Sequence, residues 1–263
     1  MNFYVAPLLI AASLIASQAV AASTDWYKTE GARIRLVTAG EPDSEGNIRG
    51  VLDIQLQPGW KTYWKDPGDS GVPPEIDISK SENVADAKLE FPVPQRHDDG
   101  YSIWAGYDHP VSLPITFKLH DKTVPTKIDA GVFLGVCQSI CVPVQADFVL
   151  NPNDDASNMQ DTALIDAAYS ALPAPARKDF SAEIASSEEE RFVVKAILPA
   201  DSGEADLFIA APEGYSFAAP KRSDKGGEFI IDILGKPKGT SLPPLSYTLA
   251  TKNAAVSGAM QPR

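Results

Sequence analysis

The sequence predicts an all-β protein made of two β-sandwiches, the second smaller than the first, and three observations carry that expectation. Short runs alternate apolar and polar residues as half-buried strands do; Ile48, Gly50, Leu52, Ile54 and Leu56 share one face of such a run. Turn residues punctuate the runs, with Pro58-Gly59, Pro67-Gly68 and Pro73-Pro74 as the plainest breaks. Helical periodicity is scarce. Short strands at close spacing with turns between them favour stacked sheets.

Taken in order, the chain opens with an export signal. Residues 3–20 are almost wholly apolar, and Ala19, Ala21 and Ala22 offer a small-residue cleavage site before Ser23. Polar sequence follows at once with Thr24-Asp25, which marks residues 1–22 as a signal peptide rather than a membrane span. The leader carries no Lys or Arg, so an uncleaved N-terminal anchor is the alternative. No later run approaches the roughly 20 apolar residues that cross a bilayer, and the product is expected to be soluble after signal cleavage.

Residues 23–152 form the first expected domain. Strand patterns cover 111–119 and 142–150, and the continuous apolar run 131–137 suits a buried strand. The polar break Asn151-Pro152-Asn153-Asp154-Asp155 closes this domain. Residues 153–178 read as a linker with one short helix over 161–172, stopped by Pro173-Ala174-Pro175. Strands return at 192–198, 205–210, 228–234 and 246–251, which makes 179–263 the second sandwich. A faint echo links Pro58-Gly59-Trp60 with Glu213-Gly214-Tyr215, each a turn followed by alternating aromatics.

Charge narrows the partners. A formal net charge of -12 repels phosphate backbones, so no nucleic-acid partner is expected. No phosphate-cradling glycine loop, G-x-S-x-G or H-E-x-x-H motif is present. Asp98-Asp99 and Glu188-Glu189-Glu190 read as solvated faces rather than acid–base pairs.

The chemistry therefore rests on two cysteines, Cys137 and Cys141, in a chain bound for an oxidising compartment. In one continuous strand they would lie about 13 Å apart, whereas a disulfide needs Cα atoms within roughly 7 Å. To pair, the chain must reverse between them, one cysteine on each arm of a hairpin. Gln138-Ser139-Ile140 lacks the Gly or Asn that a relaxed short loop prefers, which predicts a strained or irregular turn. Pro143 cannot donate a ladder hydrogen bond, which predicts an edge or bulged strand there.

Spacing alone leaves three roles open. A structural staple closing so small a loop contributes about 2 kcal/mol, less than a bridge between distant strands. A local, exposed bridge is easier to reduce and suits redox exchange. Two thiolates with a histidine could hold zinc or Cu(I), but His97, His109 and His120 lack close ligand spacing to the pair, so no metal site is assigned.

The stretch Gly59-Trp60-Lys61-Thr62-Tyr63-Trp64-Lys65-Asp66-Pro67-Gly68 and its continuation to Pro74 resembles a signature of the periplasmic N-terminal domain of DsbD- and ScsB-type thiol-disulfide interchange proteins. Phe91-Pro92-Val93-Pro94, Gly106-Tyr107, Val111-Ser112-Leu113-Pro114 and the Cys137–Cys141 segment follow in the family's order, over about residues 45–150. The resemblance implies an immunoglobulin-like β-sandwich in the periplasm, with Cys137 and Cys141 as the cycling pair and no cofactor. Cys141 would form the mixed disulfide with partners, and Cys137 would resolve it. Implied partners are a membrane-embedded thiol reductase as donor and periplasmic thioredoxin-like or disulfide-isomerase proteins as acceptors, with cytochrome c biogenesis and copper tolerance as linked processes.

The resemblance also implies an aromatic cap over the disulfide. Asp98, Asp99, Tyr101 and Trp104, with Tyr107, are the corresponding cap and partner-surface residues, and Tyr101 or Trp104 would cover the sulfurs. For Trp60, a place in the core is expected, with Tyr63 on the opposite strand face. Well-known family members continue into a membrane domain and a thioredoxin-like domain; this sequence ends at Arg263 with neither, so electrons are expected from a separate membrane protein. The alternatives are an immunoglobulin-like adaptor with a purely structural disulfide and a copper-stress thiol protein.

Overall fold

Antiparallel strands supply nearly all the regular structure of the computed structural model, which describes residues 21–68, 71–98, 100, 102–154, 158–224 and 226–262. The first half holds β1 (Ala21–Ser23), β2 (Tyr27–Thr29), β3 (Ala32–Ala39), β4 (Asn47–Leu56), β5 (Thr62–Gly68) and β6 (Glu75–Asp77). It continues through β7 (Val84–Leu89), β8 (Gln95–Asp98), β9 (Ile103–Tyr107), β10 (Val111–Leu119), β11 (Ile128–Cys137) and β12 (Cys141–Leu150). After α1 (Met159–Ser170) come β13 (Ala174–Pro175), β14 (Ser181–Ser187), β15 (Arg191–Ile197), β16 (Ala205–Ala210) and β17 (Ser216–Phe217). The last are β18 (Lys221–Arg222), β19 (Glu228–Gly235), β20 (Leu245–Thr251) and β21 (Ala255–Met260).

The first sandwich sets a six-stranded sheet, in the order β1-β3-β4-β10-β7 with β2 beside β3, against two three-stranded sheets, β12-β11-β6 and β5-β9-β8. Alternation explains the layers. Ile34, Leu36, Leu52, Ile54, Leu113 and Ile115 point inward from the large sheet, to meet Val132, Leu134, Val144, Ala146 and Phe148 from the smaller ones. Trp60 completes this core at 7% exposure, as expected, and Gly31 must be glycine because a Cβ there would fall 2.0 Å from the Trp60 ring. Of the expected signal peptide, residues 1–20 lie outside the described residues; Ala21–Ser23 pair with Val37–Ala39, and Ala22 is buried.

The helix begins two residues before the predicted start because Asn158 caps it, its side chain accepting from the Gln160 and Asp161 amides. It ends two residues before the predicted end, since Pro173 disfavours helical backbone at Leu172. Rather than hanging free, α1 lays Ile165 and Ala168 on Val37 and Val51, on the outer face of the large sheet. Arg35 ties the contact together, with Asp53 at 3.2 Å and Asp161 at 3.0 Å, both carboxylates nearly inaccessible. Removing one partner of such a buried network leaves charge uncompensated. Asp161→Ala is therefore expected to cost about 3 kcal/mol in urea unfolding; a loss below about 1 kcal/mol would place the pair with surface bridges instead.

The second sandwich faces a β13-β21-β20-β16 sheet with a β14-β15-β19-β17 sheet, β18 adding to β19. Phe180, Ile184, Phe192, Val194, Leu207, Ile231 and Leu249 fill its core. The sequence echo is a shared turn: Trp60 N–H donates to Gln57 O and Tyr215 N–H to Pro212 O, with Gly59 and Gly214 at φ 82° and 81°. The likeness stops there, because the strand that follows is seven residues long in one case and two in the other.

Candidate redox site

The β11–β12 hairpin sets Cys137 opposite Cys141, in a register that starts from Ile128 opposite Leu150. On β12, Val144, Ala146, Phe148 and Leu150 point into the core while Pro143, Gln145, Asp147 and Val149 point out. Slipping the pairing by one residue would expose the whole inner set, so distant apolar residues fix which residue faces Cys137. The two cysteines are joined by a disulfide, with Cα atoms 4.1 Å apart.

Backbone hydrogen bonds explain the close approach. Cys137 gives its amide to Lys61 O (2.9 Å), and its carbonyl accepts from Lys61 N (2.8 Å), both away from Cys141. The cysteines therefore form a non-hydrogen-bonded pair, the kind with closer side chains. Gly135 likewise turns away from β12: its N–H donates to Val72 O and its carbonyl accepts from the Thr62 hydroxyl, so Pro143 opposite leaves no partner wanting. β12 is an edge strand, as the proline predicts. The turn itself needs no left-handed residue: Asn83 and Asp201 are the described non-glycine residues at positive φ. Left-handed strain is thus missing, but the tip is irregular, as the alternative reading of that segment has it: Gln138 N–H donates to Ile140 O across a single residue.

The pair is asymmetric. Cys137 is 1% exposed, Cys141 lies open to solvent, and its neighbour Ile140 is 69% exposed. Tyr63 and Trp104 share a buried cluster with Cys137, their rings edge-to-face at 5.9 Å. The Tyr63 hydroxyl lies 3.6 Å from Cys141 Sγ, and since a disulfide sulfur carries no proton the hydroxyl donates. His97 stacks on Trp104 at 3.9 Å, and the Lys61 ammonium sits 4.2 Å from the same ring. Burial lowers the His97 pKa, with Lys61 pushing the same way and Asp108 opposing, which keeps the stacked imidazole neutral at pH 7.

Of the expected cap residues, Trp104 lies against Cys137, at 5% exposure. Asp98 sits exposed at the end of β8, where its carboxylate accepts the Gly100 amide at 2.9 Å. Asp99 and Tyr101 lie outside the described residues. Tyr107 is a correction. It is 1% exposed in the core, donates its hydroxyl to Pro92 O at 2.8 Å, and has its pKa raised by burial. It lies three positions beyond Trp104, so strand alternation turns the two to opposite faces, and Tyr107 is no partner surface.

Tyr63 is the site residue that the sequence alone does not assign. Its strand parity is legible there, but the element opposite it is not. Its hydroxyl is positioned to stabilise negative charge on Cys141 when the bridge opens. Tyr63→Phe keeps the ring and removes only that donor, and is expected to slow alkylation of reduced Cys141 at neutral pH about twofold to fivefold. The pH dependence of iodoacetamide alkylation in the reduced protein measures it; an unchanged profile would dismiss the donor role.

Residues 35–153 match the family described as thiol:disulfide interchange protein DsbD, N-terminal. Among curated proteins no sequence matches the chain. The crystal structure of the N-terminal periplasmic domain of ScsB from Proteus mirabilis superposes with a TM-score of 0.71, covering 92% of this chain and 99% of that one at 20% identity. That likeness spans both sandwiches and establishes the shared fold. Among the described residues, no helix is long and apolar enough to cross a membrane.

Proposed function

Residues 35–153 belong to the N-terminal domain family of DsbD thiol:disulfide interchange proteins, and from that premise we propose that Cys137 and Cys141 relay electrons in the periplasm. The donor is a membrane-embedded thiol reductase, and the acceptors are thioredoxin-like or disulfide-isomerase proteins. Cytochrome c maturation factors are a further acceptor class that the family resemblance implies. The observation that carries the reading is the asymmetry of the pair: one cysteine is exposed beside the hairpin tip, the other buried directly opposite it.

That asymmetry supports one order of events. The reduced Cys141 thiolate attacks one sulfur of a partner disulfide, forming a mixed disulfide and releasing the partner's other sulfur as a thiolate. The Cys137 thiolate then attacks Cys141 Sγ, restoring the internal bridge and releasing the partner's second thiolate. Two electrons pass to the partner. Recharging runs in reverse, a donor thiolate attacking exposed Cys141. Each exchange needs only the two thiols and their partners' sulfurs.

In dithiothreitol redox buffers at pH 7 the bridge is expected to equilibrate between reduced and oxidised forms while the protein stays folded, read by maleimide gel shift beside circular dichroism. A bridge that opens only when the chain unfolds would overturn the relay and leave a staple worth about 2 kcal/mol.

A further inference from the structure

The sheet that walls in Cys137 has a second face, and the second sandwich is fastened to it. Strands β5, β9 and β8 form a three-stranded sheet in which His97 pairs with Trp104, Arg96 with Ala105, and Tyr63 with Gly106. Alternation therefore sorts the side chains. Tyr63, Trp104 and His97 face the disulfide, while Trp64, Ala105 and Arg96 face away.

The contacts follow that division. Arg96 reaches across to the second sandwich with Nε and Nη2 at 3.3 and 3.2 Å from Asp206 Oδ1, and Nη2 at 2.6 Å from Leu207 O. Its guanidinium lies 4.7 Å from the Phe208 ring, and Phe208 packs edge-to-face on Trp64 at 5.9 Å. Although Phe208 belongs to β16, it is buried with the core of the first sandwich. Asp66, in the irregular stretch of β5 between Tyr63 and Gly68, accepts the Ala211 amide at 2.6 Å. Trp64 on that face is 1% exposed, so drawing Phe208 away would put apolar surface in water.

We infer that the second sandwich braces the aromatic wall against the disulfide, and that Arg96 is a positioning residue which keeps Cys137 covered through Trp104 and His97. The inference rests on the exchange reading above. The second sandwich then confines attack to Cys141, by holding shut the sheet that hides Cys137. Arg96 and His97 are consecutive residues on opposite faces, so release of one loosens the stack made by the other.

The test is alkylation of the fully reduced, full-length protein by iodoacetamide, resolved for each thiol by mass spectrometry. In the wild type Cys141 reacts first and Cys137 slowly. Arg96→Ala is expected to speed Cys137 about threefold to tenfold, since local opening becomes easier once charge-assisted bonds are lost. Asp206→Ala leaves Arg96 its bond to Leu207 O and is expected to speed Cys137 about twofold to threefold. Arg191→Ala, which removes an ion pair to Asp232 inside the second sandwich, should leave the Cys137 rate at the wild-type value.

A role confined to stability would lower the unfolding midpoint without changing alkylation of the folded protein. A folded Arg96→Ala protein with a wild-type Cys137 rate overturns the inference. If that variant fails to fold, Asp206→Ala at the wild-type rate overturns it instead. Equal reactivity of both thiols in the wild type would count against the exchange reading itself, and that result comes from a different arm of the experiment.

Discussion

A Cys137→Ala variant is expected to accumulate disulfide-linked adducts through Cys141, and a Cys141→Ala variant to form almost none. The exposed sulfur can still attack a partner, but the resolving thiol is gone, so the mixed disulfide persists. The reverse variant leaves a thiol at 1% exposure behind Tyr63 and Trp104, out of reach of a protein partner. Non-reducing electrophoresis of alkylated periplasmic extracts, followed by mass spectrometry of the shifted bands, reads the outcome. Comparable adducts from both variants would mean that burial does not choose the attacking sulfur. Adducts from neither would remove the relay.

The second large effect is expected at Gly106, where the fold and the site meet. A Cβ there would lie 2.2 Å from the carbonyl oxygen of Thr62 and 2.9 Å from the Tyr63 Cα, both on backbone that cannot yield as a side-chain tip can. Gly106→Ala must push β5 away from β9, at a cost of about 3 kcal/mol or more, the upper end for overpacking. Because Tyr63 rides on the displaced strand, its hydroxyl moves off Cys141 as well. Urea unfolding should show the loss, and alkylation of reduced Cys141 should shift toward the Tyr63→Phe profile. Gly226→Ala, with nothing within 4 Å of its added Cβ, is the neutral control. Equal stability for the two variants would show that the strands separate without penalty.

Much of this is legible in the chain. Period-two patterning locates 111–119 and 205–210 to the residue and several other strands to within a few residues, because a strand covered on one face must alternate. Pro143 announces an edge, since a proline amide cannot sit inside a ladder. The cysteine spacing requires a chain reversal for any bridge, from length alone. Tyr107 shows where local reading stops. Nearness in sequence to the cap suggests a partner surface for it, yet three steps along a strand reverse a side chain, and it enters the core.

The sequence by itself determined the sandwich class, the hairpin and the identity of the two sulfurs, because each follows from short-range periodicity, turn chemistry and spacing. Only the tertiary structure decided which sulfur is open, which ring touches it, and what stands behind that ring. Those depend on pairing between segments some 75 residues apart, such as Lys61 with Cys137, and on a sheet covered on both faces. When both faces are buried, alternation no longer says which neighbour each side chain meets; the packing partner does.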